Sequence, residues 1–128
     1  MQYFYSIIIP IFNSKKYLYS SIQSVVDQRN DKTEIILVND CSTDGSKKIC
    51  NFYKKKFNFI KVINNNKNLG VGYSRNIAIK AAKGKYIVFL DSDDNLLKNS
   101  LNNLEKFIIE KSSPDVIPIR YKKITFPQ

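Results

Sequence analysis

The 128-residue sequence predicts an α/β fold, a three-layer α/β/α sandwich around a mostly parallel sheet. Three observations point there. Apolar runs of strand length alternate with segments of helical period. The runs are apolar throughout rather than at every second residue, as in strands covered on both faces. Polar, turn-forming residues follow directly on each run, as at the carboxyl rim of a doubly wound sheet, where ligands bind.

The elements follow in order. Tyr5–Pro10 is a first strand. Ser14 is placed to cap a helix whose apolar positions Leu18, Ile22, Val25 and Val26 recur at helical spacing. "EIILVND", 34–40, is a second strand, and Thr43 or Asp44 starts a helix carrying Ile49, Phe52 and Tyr53. "FIKVINN", 59–65, is a third strand. The helix in "GVGYSRNIAIKAAKG" ends at Gly84, a residue type suited to a C-cap. "KYIVFLD", 85–91, is a fourth strand, and Leu101, Leu104, Phe107 and Ile108 mark a fourth helix. "DVIPIRY", 115–121, reads as a fifth strand at a sheet edge, because Pro118 lacks a donor. The crossovers should be right-handed.

Composition narrows the classes. Hydrophobic residues make up 43% and charged residues 25%, an ordinary globular balance. No apolar run approaches the roughly 20 residues of a membrane span. The segment "MQYFYSIIIPIFN" has no basic start and no small-residue cleavage site, so it reads as a strand rather than a signal peptide. Cys41 and Cys50 are the only cysteines and histidine is absent, a poor set for zinc. Cys50 reads as a small core residue, and a reducing cytoplasm suits the pair. The net charge of +10 comes mostly from scattered lysines, with one cluster at Lys54-Lys55-Lys56. That pattern argues against nucleic acid and for a basic face near anionic phosphates or a membrane surface.

The chemistry collects after the strands. Three aspartates in four positions, Asp91, Asp93 and Asp94, follow the fourth run. Two carboxylates about 4 Å apart repel by roughly 4 kcal/mol at an effective dielectric near 20. Either water solvates them in a loop, or a divalent cation sits there, and hard carboxylate oxygens suit Mg²⁺ or Mn²⁺. Asp40 leaves the second strand directly and is placed to accept a hydrogen bond from a ligand N–H. Asp44 reads as a helix cap. Gly70 and Gly72 serve a turn or open backbone donors to an anion. Arg75, one turn into the third helix, either extends over the same rim or is a solvated surface residue.

Together, "SIIIPIFN", "EIILVNDCSTDGS" and "NLGVGYSRNIAIKAAKGKYIVFLDSDD" resemble glycosyltransferase family 2, whose fold is called GT-A. A lone Asp-x-Asp is weak, but these pieces stand in the family's order and spacing over most of the chain. The resemblance implies a UDP-sugar donor, with Asp40 bonding the uracil ring and Arg75 near the nucleotide. Pro10, Phe12 and Asn13 then line the base pocket, and Asp91 and Ser92 lie near ribose and diphosphate. Asp93 is the implied metal ligand, with Asp94 beside it, and the cofactor Mn²⁺ or Mg²⁺. Family members generally invert the anomeric carbon, and membership implies a glycan or lipid-linked acceptor for a cell-surface polysaccharide, handled in the cytoplasm at the inner face of the membrane. Phe12, where Tyr is commoner, and Asn39 and Cys41 in the acidic turn depart from the family pattern.

Family chains continue past the Asp-x-Asp into a region that binds the acceptor and supplies the catalytic base. Asp115 is the only carboxylate after Glu110, and it looks like a strand opener. The expectation is therefore that residues 1–128 form a single donor-binding domain, with the catalytic base lying beyond Gln128 and none within the chain. Three other readings remain at this point: a non-catalytic nucleotide-sugar-binding module, a dinucleotide-binding oxidoreductase and a phosphoacceptor receiver domain. "GVGYSR" with Asp91 about 20 residues on mimics the dinucleotide fingerprint, but Arg75 replaces its third glycine. A receiver domain needs an acidic pair after the first strand, where this chain has Pro10-Ile11-Phe12-Asn13.

Overall fold

In the computed structural model, which describes residues 3–115, eight elements alternate along the chain. They are β1 (Tyr5–Ile11), α1 (Lys15–Val26), β2 (Thr33–Asn39), α2 (Ser46–Lys56), β3 (Ile60–Asn64), α3 (Val71–Ala81), β4 (Tyr86–Phe89) and α4 (Ser100–Glu110). The strands form one parallel sheet in the order β3-β2-β1-β4. The two central strands are buried at every position, which is why they lack polar alternation. Their register sets Ile7 beside Ile35 and Ile9 beside Leu37.

The strand order decides which helix covers which face. The chain steps outward from β1 to β2 to β3, so α1 and α2 pack on the same side. There Leu18, Ile22, Cys50 and Tyr53 join Ile7, Ile9, Ile35 and Leu37 in the main core, with Leu101 and Ile108 of α4. The chain then crosses back to the far side of β1. A right-handed return must run over the opposite face. That face accordingly carries α3, whose Ala78 packs on Ile8, Ile36 and Val38. The α/β/α layering and the parallel sheet are as expected, and Cys50 is a core residue with no exposure.

Other expectations need correction. Ser14 does not cap α1 with its side chain. The Lys15 N–H donates instead to Asp44 Oδ2, 2.9 Å away across the rim. The next helix starts at Ser46 rather than at Thr43 or Asp44, because Gly45 stands before it with φ at 97°. Asp44 lies just outside it and accepts from the Ser46 N–H at 3.0 Å. The third helix ends at Ala81, not Gly84. Gly84 has no left-handed φ, and its role is close approach: a Cβ there would fall 2.5 Å from the Ser6 nitrogen. β4 is shorter than the 85–91 run, although Leu90 N–H still donates to Ile8 O. It is also not covered on both faces. Ile87 and Phe89 are 38% and 47% exposed, since α3 packs on β1 and β2 rather than on β4. The fifth strand expected at 115–121 falls almost wholly outside the described residues. Gln128, beyond which the catalytic base is expected, lies outside them too.

A buried acid anchors the end of the sheet away from the acidic loop. Glu34 has no exposure, yet it accepts from Ser6 Oγ and the Lys83 N–H, both at 2.6 Å, and pairs with Lys61 at 3.1 Å. Burial pushes its proton affinity up, but these partners outweigh burial and hold the carboxyl below its usual range.

Candidate functional site

Strand order reverses at the border of β1 and β4, and a cleft of about 530 Å³ opens there at the carboxyl ends of the strands. A switch point leaves a crevice because the connections on its two sides run to opposite faces. Pro10, Phe12, Asn13, Asp40, Arg75, Asp91, Ser92 and Asp93 all line it. Asp94 stands beside Asp91 and Asp93, the three offering carboxylate oxygens within 4.8 Å of one another. The structure thus gathers around one site the residues that the sequence reading singled out.

Asp40 forms its inner wall at 3% exposure. Oδ1 accepts from Asn65 Nδ2 at 2.9 Å and the Leu69 N–H at 2.8 Å, and Oδ2 accepts from the Gly70 N–H at 2.9 Å. Burial alone would raise its proton affinity, but the three donors more than compensate and keep it ionised. A carboxylate has about four acceptor positions, so Oδ2 retains capacity for another donor. The Gly70 N–H is spent on Asp40 and on Asn68 Oδ1, so the expectation that this glycine opens a donor to an anion is not met. Its φ of 92° lets the chain turn sharply into α3.

The outer wall is built from turns clasped to one another. Asn13 takes φ 48°, a conformation asparagine tolerates, and its Oδ1 accepts from the Thr43 N–H at 2.8 Å. The Asn13 N–H donates to Ser42 Oγ at 3.1 Å. Ser92, only 9% exposed, shares a hydrogen bond with Ser14 and so ties the acidic loop to the turn after β1. Phe12 and Tyr17 remain about half exposed and present rings at the mouth.

Arg75 reaches across from α3 and pairs with Asp91 at 3.0 Å, its guanidinium also lying 5.7 Å from the Phe89 ring centre. It therefore belongs to the rim rather than to free surface. Asp94 carries the strain of the acidic group. Burial first, then Asp93 and Asp91, raise its proton affinity. Three hard oxygens in reach of one another, one of them reluctant to ionise alone, fit a divalent cation of the Mg²⁺ or Mn²⁺ kind.

Ser14, Tyr17, Val71 and Ser74 also line the cleft and were not read from the sequence as site residues. Tyr17 is legible in hindsight, one turn into α1 beside the β1 rim. Ser74 is fully buried, and its Oγ accepts from Asn65 Nδ2 at 3.1 Å, a contact that no local pattern signals.

A switch-point cleft with an ionised acid on its inner wall and an acidic loop at its mouth places the candidate site of this doubly wound α/β domain where such folds bind their ligands. Comparison with known proteins identifies the family. The model of "Glycosyl transferase family 2" matches residues 6–126, and the chain belongs to that family. It is 44% identical over 111 residues to the poly(ribitol-phosphate) beta-glucosyltransferase of Bacillus spizizenii, covering 84% of this chain and 18% of that protein. It is 39% identical over 123 residues to the poly(ribitol-phosphate) beta-N-acetylglucosaminyltransferase TarS of Staphylococcus aureus, covering 94% of this chain and 21% of that protein. The crystal structure of S. aureus TarS 1-349 in complex with UDP-GlcNAc superposes with a TM-score of 0.77 at 37% identity, over 84% of this chain and 31% of that one. The chain thus spans well under half the length of these relatives.

Proposed function

We propose that this chain is the donor-binding part of an inverting glycosyltransferase that moves a sugar from a UDP-sugar to a glycan or lipid-linked acceptor during cell-surface polysaccharide synthesis, on the cytoplasmic side of the membrane. One observation carries the reading: an ionised Asp40 and the Asp91, Asp93 and Asp94 cluster meet around a single switch-point cleft. The named relatives, and the donor in the TarS complex, support it.

The chain's residues divide the work by chemistry. Asp40 accepts and never donates, so it suits a base that presents an N–H at its edge, as the ring N–H of uracil does. Phe12 and Tyr17 offer aromatic faces for the base. Asn13 holds the base-side turn in place through Thr43. Arg75 keeps guanidinium donors beyond the one given to Asp91 and turns them toward diphosphate oxygens. Asp93, with Asp91 and Asp94, would hold a divalent cation, Mn²⁺ or Mg²⁺. Such an ion, when bound, supplies Lewis-acid neutralisation of a leaving diphosphate, worth several kcal/mol. No described carboxylate outside these roles lines the cleft, so no described residue is assigned as the base that deprotonates the acceptor.

Calorimetric titration tests this. UDP should bind in the presence of Mn²⁺, and Asp93→Asn should remove the metal-dependent part of the heat without lowering the melting temperature of the free chain. Binding of NAD⁺ without binding of UDP would return the site to a dinucleotide enzyme.

A further inference from the structure

We propose that the outer face of α1 and α2 is a docking surface for an anionic lipid membrane. The two helices carry Lys15, Lys16, Lys47, Lys48, Lys54, Lys55 and Lys56 and not one acidic residue, although the chain as a whole has 11. All seven are exposed, and none forms a salt bridge among the described residues. Helix stability does not account for them. Lys54, Lys55 and Lys56 suit the end of α2, but Lys15, Lys16, Lys47 and Lys48 occupy first turns, where the helix dipole disfavours cations.

Aromatic side chains are interleaved with these charges. Tyr19 and Phe52 are 54% and 48% exposed and lie 6.5 Å apart across the seam between the helices, resting on the buried Tyr53. Helical spacing sets Lys16 on the side of Tyr19 and Lys48, Lys55 and Lys56 on the side of Phe52. The Lys56 ammonium lies 5.6 Å from the Phe52 ring centre. A polyanion in solution would need only the cations. Exposed aromatic rings set among lysines match a lipid headgroup layer, where rings sit at the interface and ammonium groups meet phosphates. None of these residues lines the cleft, so the surface stands or falls apart from the donor site.

The chain has no tryptophan, so Phe52→Trp installs a single reporter. Sedimentation with vesicles rich in phosphatidylglycerol should carry the chain down, and phosphatidylcholine vesicles should not. The Trp emission should shift to the blue on binding. Replacing Lys48, Lys55 and Lys56, all exposed, together by Gln should lower partitioning on the order of a hundredfold while the chain keeps its cooperative unfolding transition. Phe52→Ser should lower it severalfold at unchanged charge. No sedimentation with the anionic vesicles overturns the proposal. So does binding with an unshifted Trp spectrum and full retention by Phe52→Ser, which would mark the face as a surface for soluble polyanions. UDP titration of the same variants should be unaltered.

Discussion

Asp94 and Glu34 respond to pH in opposite senses, and the signs follow from their neighbours. Asp94 holds its proton more tightly in the folded chain, so stability falls as pH rises through its raised value and the carboxyl ionises beside Asp93 and Asp91. At neutral pH, Asp94→Asn should therefore stabilise the metal-free chain, by about 0.5 kcal/mol for a solvent-screened site, while weakening Mn²⁺ binding. Urea unfolding and metal titration on the same variant check both halves. Glu34 is held ionised by Ser6, Lys83 and Lys61 against the effect of burial, so its contribution is complete above its ordinary value of 4.5 and is lost as pH falls through the lowered one. Glu34→Gln should cost about 2–3 kcal/mol at neutral pH and flatten the acid limb of the stability curve, and an unchanged limb would remove Glu34 from that role. The site aspartates were legible because they follow apolar runs directly. Glu34 was not, since its partners Ser6 and Lys83 lie 28 and 49 residues away in sequence.

At the scale of elements, one residue starts two helices. Asp44 gives Oδ2 to the first N–H of α1 and Oδ1 to the first N–H of α2. Local pattern favoured Ser14 as the cap of α1, and Asp44 takes that role because the β2–α2 turn folds over it. Asp44→Ala should cost about 2 kcal/mol, near the sum of two caps, in an unfolding titration, against about 1 if it served α2 alone. The glycines separate by the same kind of reasoning. Gly84→Ala must push a methyl group into the backbone of β1 and should cost about 2–3 kcal/mol. Gly70 has open space around it, so Gly70→Ala should cost only backbone strain, about 2 kcal/mol, because its φ of 92° with ψ of 162° is a conformation reached essentially only by glycine. Alternation of elements, strand polarity and layering were readable from hydrophobic runs. The positions of Gly84 and the half-bare β4 were not, because both depend on where α3 lies after the return crossover.

For the whole molecule, the sheet order turns separate local features into a responsive unit. Asp40 closes one side of the cleft by gripping Leu69 and Gly70 at the start of α3, while Arg75, one turn later, grips Asp91 after β4. A nucleotide diphosphate in the cleft would touch the ends of β1, β2 and β4 and the first turns of α1 and α3 together. Its binding energy therefore adds to the folded state as a whole, since the unfolded chain cannot gather those groups. At a hundredfold excess over Kd, UDP with Mn²⁺ should raise stability by about 2.7 kcal/mol. For a chain of this size that is on the order of 10 °C in Tm. Arg75→Ala should leave the Tm of the free chain within about 2 °C, because its ion pair with Asp91 is partly open to solvent, yet remove much of the UDP-induced shift. A full shift in Arg75→Ala would mean that the arginine serves Asp91 and not the diphosphate. Loss of the shift together with a collapsed free-chain Tm would mean that the pair holds α3 to the acidic loop, a structural role that its exposure argues against.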